Sequence, residues 1–246
     1  METVLSLVTL ENAAIVAIIV AGGFVRGYTG FGSGLVMAPL LTLFWGPVEA
    51  VATTVGVGAV ASVQVVPGCA RQCDWRTMAP MSLAAVLFVP VGTFMLVSLD
   101  PEIVKNIIAA IVLFVTAISL RGWTYRGPAG PIPAFLAGGV TALVNGIAAV
   151  GGPASVMYLM SLPNRAERHR ANITIITTVI GWLVLFCMVV AGAVSQGTVI
   201  KIALLILPNA FGVWAGSRMF ALLPGRVFRL IVLWMLVAVS VAILVS

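Results

Sequence analysis

The sequence predicts an all-α polytopic integral membrane protein. It is read as two inverted-topology repeats of five hydrophobic segments, with short broken or re-entrant helices at a glycine motif in each repeat. Three observations carry this expectation. The first is composition: 61% of the 246 residues are hydrophobic and 8% are charged, with a mean hydropathy of +1.18. An ordinary soluble domain carries about a quarter charged residues. The second is a motif written twice, Gly27-Tyr28-Thr29-Gly30-Phe31-Gly32-Ser33-Gly34 and Gly146-Ile147-Ala148-Ala149-Val150-Gly151-Gly152-Pro153. At a constant offset of 119 residues Arg26 falls on Asn145, Gly27 on Gly146, Gly32 on Gly151, Leu40 on Leu159 and Ala52 on Ala171. The third is the alternation of basic residues along the chain.

Breaking the chain at charges, Gly and Pro gives the elements in order. The first half holds apolar segments over roughly 12–25, 35–45, 48–67, 77–99 and 103–120, and the second over roughly 132–145, 154–162, 171–192, 199–220 and 227–246. A hydrocarbon core of about 30 Å needs about 20 helical residues. Segments three, four and five of each half meet or nearly meet that length, whereas the first two look short and flank the motif. Strands are excluded unless they close into a barrel, because lipid leaves no partner for an open backbone group. Residues 1–125 form the first transmembrane repeat and 126–246 the second, together one transmembrane domain. The start, Met1-Glu2-Thr3-Val4, lacks the basic region of a cleaved signal peptide, so none is expected.

Numbering the connections between segments, the odd ones hold Arg26; Arg71 and Arg76; Arg121 and Arg126; Arg165, Arg168 and Arg170; and Arg218, Arg226 and Arg229. That is eleven of the thirteen basic residues. The even ones hold Glu49, then Asp100 and Glu102 with Lys105, and Lys201 near one end. The positive-inside rule places the odd connections in the cytoplasm and both termini outside. Either ten crossings or six crossings with two re-entrant pairs satisfies this pattern. Five segments is an odd number, so the second half is inverted in both cases, as alternating access requires.

Function is sought at the motif, since paired glycine interruptions in two hydrophobic halves point to a transporter's binding site. Glycines at 27, 30, 32 and 34 disfavour an unbroken helix, each costing about 1 kcal/mol against Ala. A helix is expected to restart near Gly34 with Ser33 as its N-cap. In the second copy Pro153 suits a first helical turn. Each restart offers unpaired N–H donors and about half a positive charge, and two such ends would cradle an anion. Close helix packing is the alternative use of the same glycines.

Arg26 is either deep and substrate-facing, if its segments form a hairpin, or an ordinary cytoplasmic arginine, if both cross. Asn145 is its uncharged partner. The candidate substrate-binding residues are Arg26, Gly27, Tyr28, Gly30, Gly32, Ser33, Gly34, Thr53, Asn145, Gly146, Gly151, Gly152, Pro153 and Asn172. Further polar candidates are Thr54, Ser62 and Gln64 on the third segment and Thr174, Thr177 and Thr178 on the eighth. Trp45, Trp123, Trp182, Trp214 and Trp234 fit interfacial anchoring or packing.

No catalytic residue, metal site or cofactor is expected. Cys69, Cys73 and Cys187 are too few and too badly spaced for a disulfide framework or zinc site and are read as reduced thiols. His169, the single histidine, is read as a solvated loop residue. The carboxylates fall near segment ends or in loops, so a proton relay is poorly supported, and no G-x-x-x-x-G-K phosphate loop is present for ATP. The net charge of +6 sits in short gaps between apolar runs, which argues against nucleic acid. The expected partners are a small anionic substrate and the lipid bilayer, with a homodimer left open.

The residues also carry a resemblance. Gly30-Phe31-Gly32-Ser33-Gly34-Leu35-Val36 followed by Pro39-Leu40 resembles the opening G-F-G-x-G-L-V-x-x-P-L motif of the sulfite exporter TauE/SafE family, also called the 4-toluene sulfonate uptake permease family. Gly151-Gly152-Pro153 with Tyr158-Leu159, then Arg170-Ala171, is similar to that family's second half. Ala52-Thr53-Thr54, Asp74-Trp75-Arg76, and Pro90-Val91-Gly92 with Pro208 and Gly212 agree more weakly. The second copy departs from the usual triple glycine, placing Ala149 before Gly151-Gly152-Pro153. The resemblance implies secondary transport of small anions, often sulfite, sulfonates and related organosulfur acids, across the bacterial cytoplasmic (inner) membrane. An anion channel or small-carboxylate permease is the alternative, and an enzyme is not expected.

Overall fold

The structure is a computed structural model that describes residues 10–63, 66–121 and 125–219. Ten helices occupy these residues: α1 (Leu10–Thr29), α2 (Ser33–Trp45), α3 (Pro47–Ser62), α4 (Val66–Ala70), α5 (Trp75–Ser98), α6 (Pro101–Leu120), α7 (Pro131–Ala148), α8 (Gly152–Leu159), α9 (Ala166–Val190) and α10 (Gln196–Met219). Six of them, α1, α5, α6, α7, α9 and α10, are long and apolar enough to cross a membrane. Large apolar side chains point outward on them, including Phe94 and Phe114, Leu136 and Phe186, and Leu207, each more than 60% exposed. Such faces suit hydrocarbon and would be untenable in water.

The helix starts follow local chemistry. Pro47, Pro101 and Pro131 each open a helix, where the missing N–H has no intrahelical acceptor. Asp74 caps α5: its carboxylate accepts from the Arg76 N–H at 3.2 Å and from the Thr77 hydroxyl at 2.8 Å. Glu49 lies in the first turn of α3 and pairs at 2.7 Å with Lys201 of α10. The Lys201 ammonium also lies 4.3 Å from the ring centre of Trp45.

Three helix lengths differ from expectation. The segments read as short, 12–25 and 132–145, are helices of 20 and 18 residues that run through Arg26 and Gly27, and through Asn145 and Gly146. The reason is tertiary. Gly27 packs on the Val213 carbonyl and Gly146 on the Val89 carbonyl, where an added Cβ would lie 2.2 and 2.9 Å from those oxygens. In these helices the glycines are contact points between backbones, a common use in membranes. The third segment is shorter than expected: α3 ends at Ser62 after 16 residues, about 24 Å at 1.5 Å per residue. The tenth segment, 227–246, lies outside the described residues, as do Gln64, Trp123 and Trp234.

Shifted by 119, α1 overlays α7 and α5 overlays α10 to within two residues at each end. The two most extensive helix pairings are α1 with α10 and α5 with α7, so the long helix that carries each glycine motif packs on a helix from the other half of the chain. Small residues line both seams: Gly212 and Gly216 of α10 against Val20 and Phe24 of α1, and Gly138 of α7 against Met81 of α5. Between these pairs lies α3, buried along nearly its whole length from Ala50 to Ser62 and packed on α2, α9 and α10. This arrangement brings the two chain breaks, 30–32 and 149–151, to the centre of the molecule.

Candidate functional site

Each break converts the end of a long helix into the start of a short one. In the first, the Gly30 N–H still donates to the Arg26 carbonyl at 2.7 Å, and Gly30 then turns left-handed at φ 84°. In the second, the Ala149 N–H donates to the Asn145 carbonyl at 2.9 Å and Ala149 adopts φ 56°. Gly30 and Ala149 are equivalent at the offset of 119, so the same left-handed step is made by different residues. It costs an alanine roughly 1–2 kcal/mol.

Side chains then stitch each break. The Thr29 hydroxyl donates to the Val25 carbonyl at 2.8 Å and accepts from the Phe31 N–H at 3.2 Å. The Asn145 Oδ1 accepts from the Gly151 N–H at 3.2 Å. Ser33 is not the N-cap expected of it. Gly32, at φ 90°, takes that place without a side-chain bond, and Ser33 is the first helical residue. Its hydroxyl is thereby freed from capping.

The two breaks meet. The Gly34 α-carbon lies so close to the Ala149 carbonyl that an added Cβ would sit 1.8 Å from the oxygen, and Gly152 abuts the Phe31 ring. Between them is a cavity of about 60 Å³. Its walls come from both breaks, from the last turns of α3 and from the middle of α9.

Of the expected site residues, Arg26, Gly32, Ser33, Gly34, Asn145 and Gly152 line this cavity. The others lie elsewhere. Gly27 and Gly146 are in the helix seams already described. Tyr28 is buried away from the cavity, and Gly30 faces Arg170 and Thr174 of α9. Gly151 packs on the Thr141 carbonyl, and Pro153 is buried in the first turn of α8. Thr53 is fully buried beside the cavity-facing Thr54, and Asn172 accepts from the Asp74 N–H at 2.8 Å, holding the loop before α5.

Thr54, Ser62 and Thr177, which stood among the further polar candidates, do reach the cavity, and Gly58 and Gly181 complete its wall. The last two carry no signal as residue types, yet they have one as positions. At the offset of 119 Gly58 matches Thr177 and Ser62 matches Gly181, so each copy supplies one hydroxyl and one glycine at the same two points.

Arg26 is the charged member. Its guanidinium donates to the Ser62 hydroxyl and passes over Gly58, whose Cβ position is 3.0 Å from Nη1. Among the described residues no carboxylate lies within ion-pairing distance of it. Thr54 Oγ1 is buried without a hydrogen-bond partner. A half-buried cation without a counter-ion, beside an unpaired hydroxyl, describes a site that an anion would complete.

Outside the cavity, Arg170 Nη2 donates at 3.4 Å to the Gly27 carbonyl at the end of α1, where a cation offsets the helix dipole. His169 departs from the expectation of a solvated loop: it lies in the first turn of α9 and is 8% exposed. The three cysteines are free. Burial, followed by the nearby Asp74 carboxylate, pushes the Cys73 thiol up to about 11, which leaves it protonated and unreactive at neutral pH.

The fold and cavity define a class, a multi-pass helical membrane protein with a polar cavity where two copies of one motif meet. The chain belongs to the sulfite exporter TauE/SafE family, whose family model matches residues 14–243. Membership carries membrane transport of sulfite and related sulfur anions as the family's activity. No curated protein and no solved structure matches the chain.

Proposed function

We propose that this chain is a secondary transporter that carries a small organic or inorganic anion, such as sulfite, a sulfonate or a related organosulfur acid, by alternating access. The observation that carries the reading is Arg26, an arginine without a carboxylate partner among the described residues, in a cavity built from both copies of the motif. A planar guanidinium can hold two oxygens of a sulfonate or sulfite at once. Ser33, Ser62, Thr54 and Asn145 offer neutral hydrogen bonds around it.

In this mechanism the anion displaces Ser62 from Arg26 and takes up the donors at the starts of α2 and α8. The two repeats, 1–125 and 126–246, have opposite topology, and the exchange of α1 and α7 between them supports that reading. Rocking of one repeat against the other exposes the site to each side in turn. The Arg-rich connections face the cytoplasm of a bacterial inner-membrane protein and the termini face outward. The anion's own gradient drives movement, since the carboxylates fall near segment ends or in loops and Glu49 is engaged by Lys201.

The test is uptake of labelled sulfite and methanesulfonate into proteoliposomes of the full chain. Saturable uptake that empty liposomes lack is expected. Non-saturating flux would indicate a channel, and absence of flux for every anion offered would overturn the proposal.

A further inference from the structure

We infer that the cavity selects a singly charged oxyanion bearing at most a short aliphatic substituent, and discriminates against dianions and aryl sulfonates. The inference rests on the anion-transport reading and narrows it.

Among the described residues Arg26 is the one ionised side chain on the cavity wall. The helix ends add hydrogen-bond donors but little net field. At each break the positive start of a short helix lies beside the negative end of a long one, Ser33 by Thr29 and Gly152 by Ala148. Half-charges of opposite sign at such spacing largely offset one another. A monoanion is therefore neutralised by Arg26, while a dianion leaves one uncompensated charge in a low-dielectric interior, the costly case.

Shape points the same way. Ser62 accepts from Arg26, and Ser33 and Thr54, a 97%-buried residue whose hydroxyl has no partner, line the same cavity. The rest of the wall is mostly apolar, from Phe31, Leu35, Val55, Ala59 and Val150, with Asn145 and Thr177 as its further polar side chains. An ion that is polar at one end and apolar at the other matches such a wall better than a symmetric inorganic one. The space of about 60 Å³ accommodates a few waters at roughly 10–15 Å³ each, and is well below the roughly 150 Å³ of a cavity that admits benzene.

The experiment measures equilibrium binding of methanesulfonate, sulfate and benzenesulfonate to the purified full chain at one pH and ionic strength. Methanesulfonate is expected to bind at least tenfold tighter than either competitor. Sulfate or benzenesulfonate binding as tightly would overturn the inference and leave the anion reading standing. Failure of all three to bind would overturn both.

A second arm adds a cation. Gly181 lines the cavity and a Cβ there meets nothing within 4 Å, so Gly181→Lys has room. It should move the sulfate-to-methanesulfonate affinity ratio at least tenfold toward sulfate. An unchanged ratio in folded protein would contradict the charge count. Thr177→Lys, on the same wall one turn away, answers the same question if Gly181→Lys does not fold.

Discussion

Replacing Arg26 with alanine is expected to abolish uptake while leaving the protein folded. The guanidinium is the cavity's full positive charge, and losing one partner of a desolvated, hydrogen-bonded ion pair costs about 2–5 kcal/mol. That corresponds to roughly thirty- to several-thousand-fold in affinity. Stability should respond differently. Arg26 bonds the Ser62 hydroxyl, and no carboxylate among the described residues depends on it. The melting temperature of Arg26→Ala should therefore stay close to wild type or rise, because an uncompensated charge has been removed. Arg26→Lys should be intermediate, since it keeps the charge and loses the two-pronged geometry. Near-normal uptake by Arg26→Ala in proteoliposomes would end the role assigned to this residue.

Gly34→Ala should be nearly as damaging to transport and should also destabilise the fold. The new methyl group would lie 1.8 Å from the Ala149 oxygen and 2.9 Å from the Ala149 carbonyl carbon. Those atoms are backbone, at a residue already held left-handed, and cannot rotate aside. The two breaks must separate, widening the cavity and moving the α2 donors away from Arg26. Overpacking of this kind typically costs about 1–3 kcal/mol. Gly22→Ala is the matched control, because its nearest obstacle is the Met37 side chain at 2.5 Å, a flexible group that can move. Thermal unfolding and uptake should separate the two variants, with Gly34→Ala losing both properties and Gly22→Ala keeping uptake. Equal behaviour would mean that contact between the breaks is unimportant.

The duplication was legible because a backbone requirement recurs even where residues do not. Gly30 and Ala149 make the same left-handed step, and Arg26 and Asn145 precede it at the same distance. The lengths of the long helices were misread at these positions. Gly27 and Gly146 look like breakers in sequence, but each is buried against a carbonyl of another helix, and only the tertiary seam shows that. The cavity wall on α3 and α9 was partly hidden for a related reason. Gly58 with Ser62 and Thr177 with Gly181 exchange glycine for hydroxyl between copies, so residue identity gives no match although position does. Thr53 and Asn172 align well at the same offset, yet Asn172 is committed to Asp74. Thr54, one residue on and about 100° around the helix, is the one that faces the cavity.

Both variants test an account whose centre is the meeting of the two breaks around one anion. Its most direct test is a crystal structure of the full chain with bromomethanesulfonate, located by the anomalous scattering of bromine. The account places the bromine in the cavity between Gly34 and Gly152, with the sulfonate oxygens within hydrogen-bond reach of the Arg26 guanidinium. A bromine bound elsewhere, with this cavity empty at a concentration that saturates binding, would contradict it.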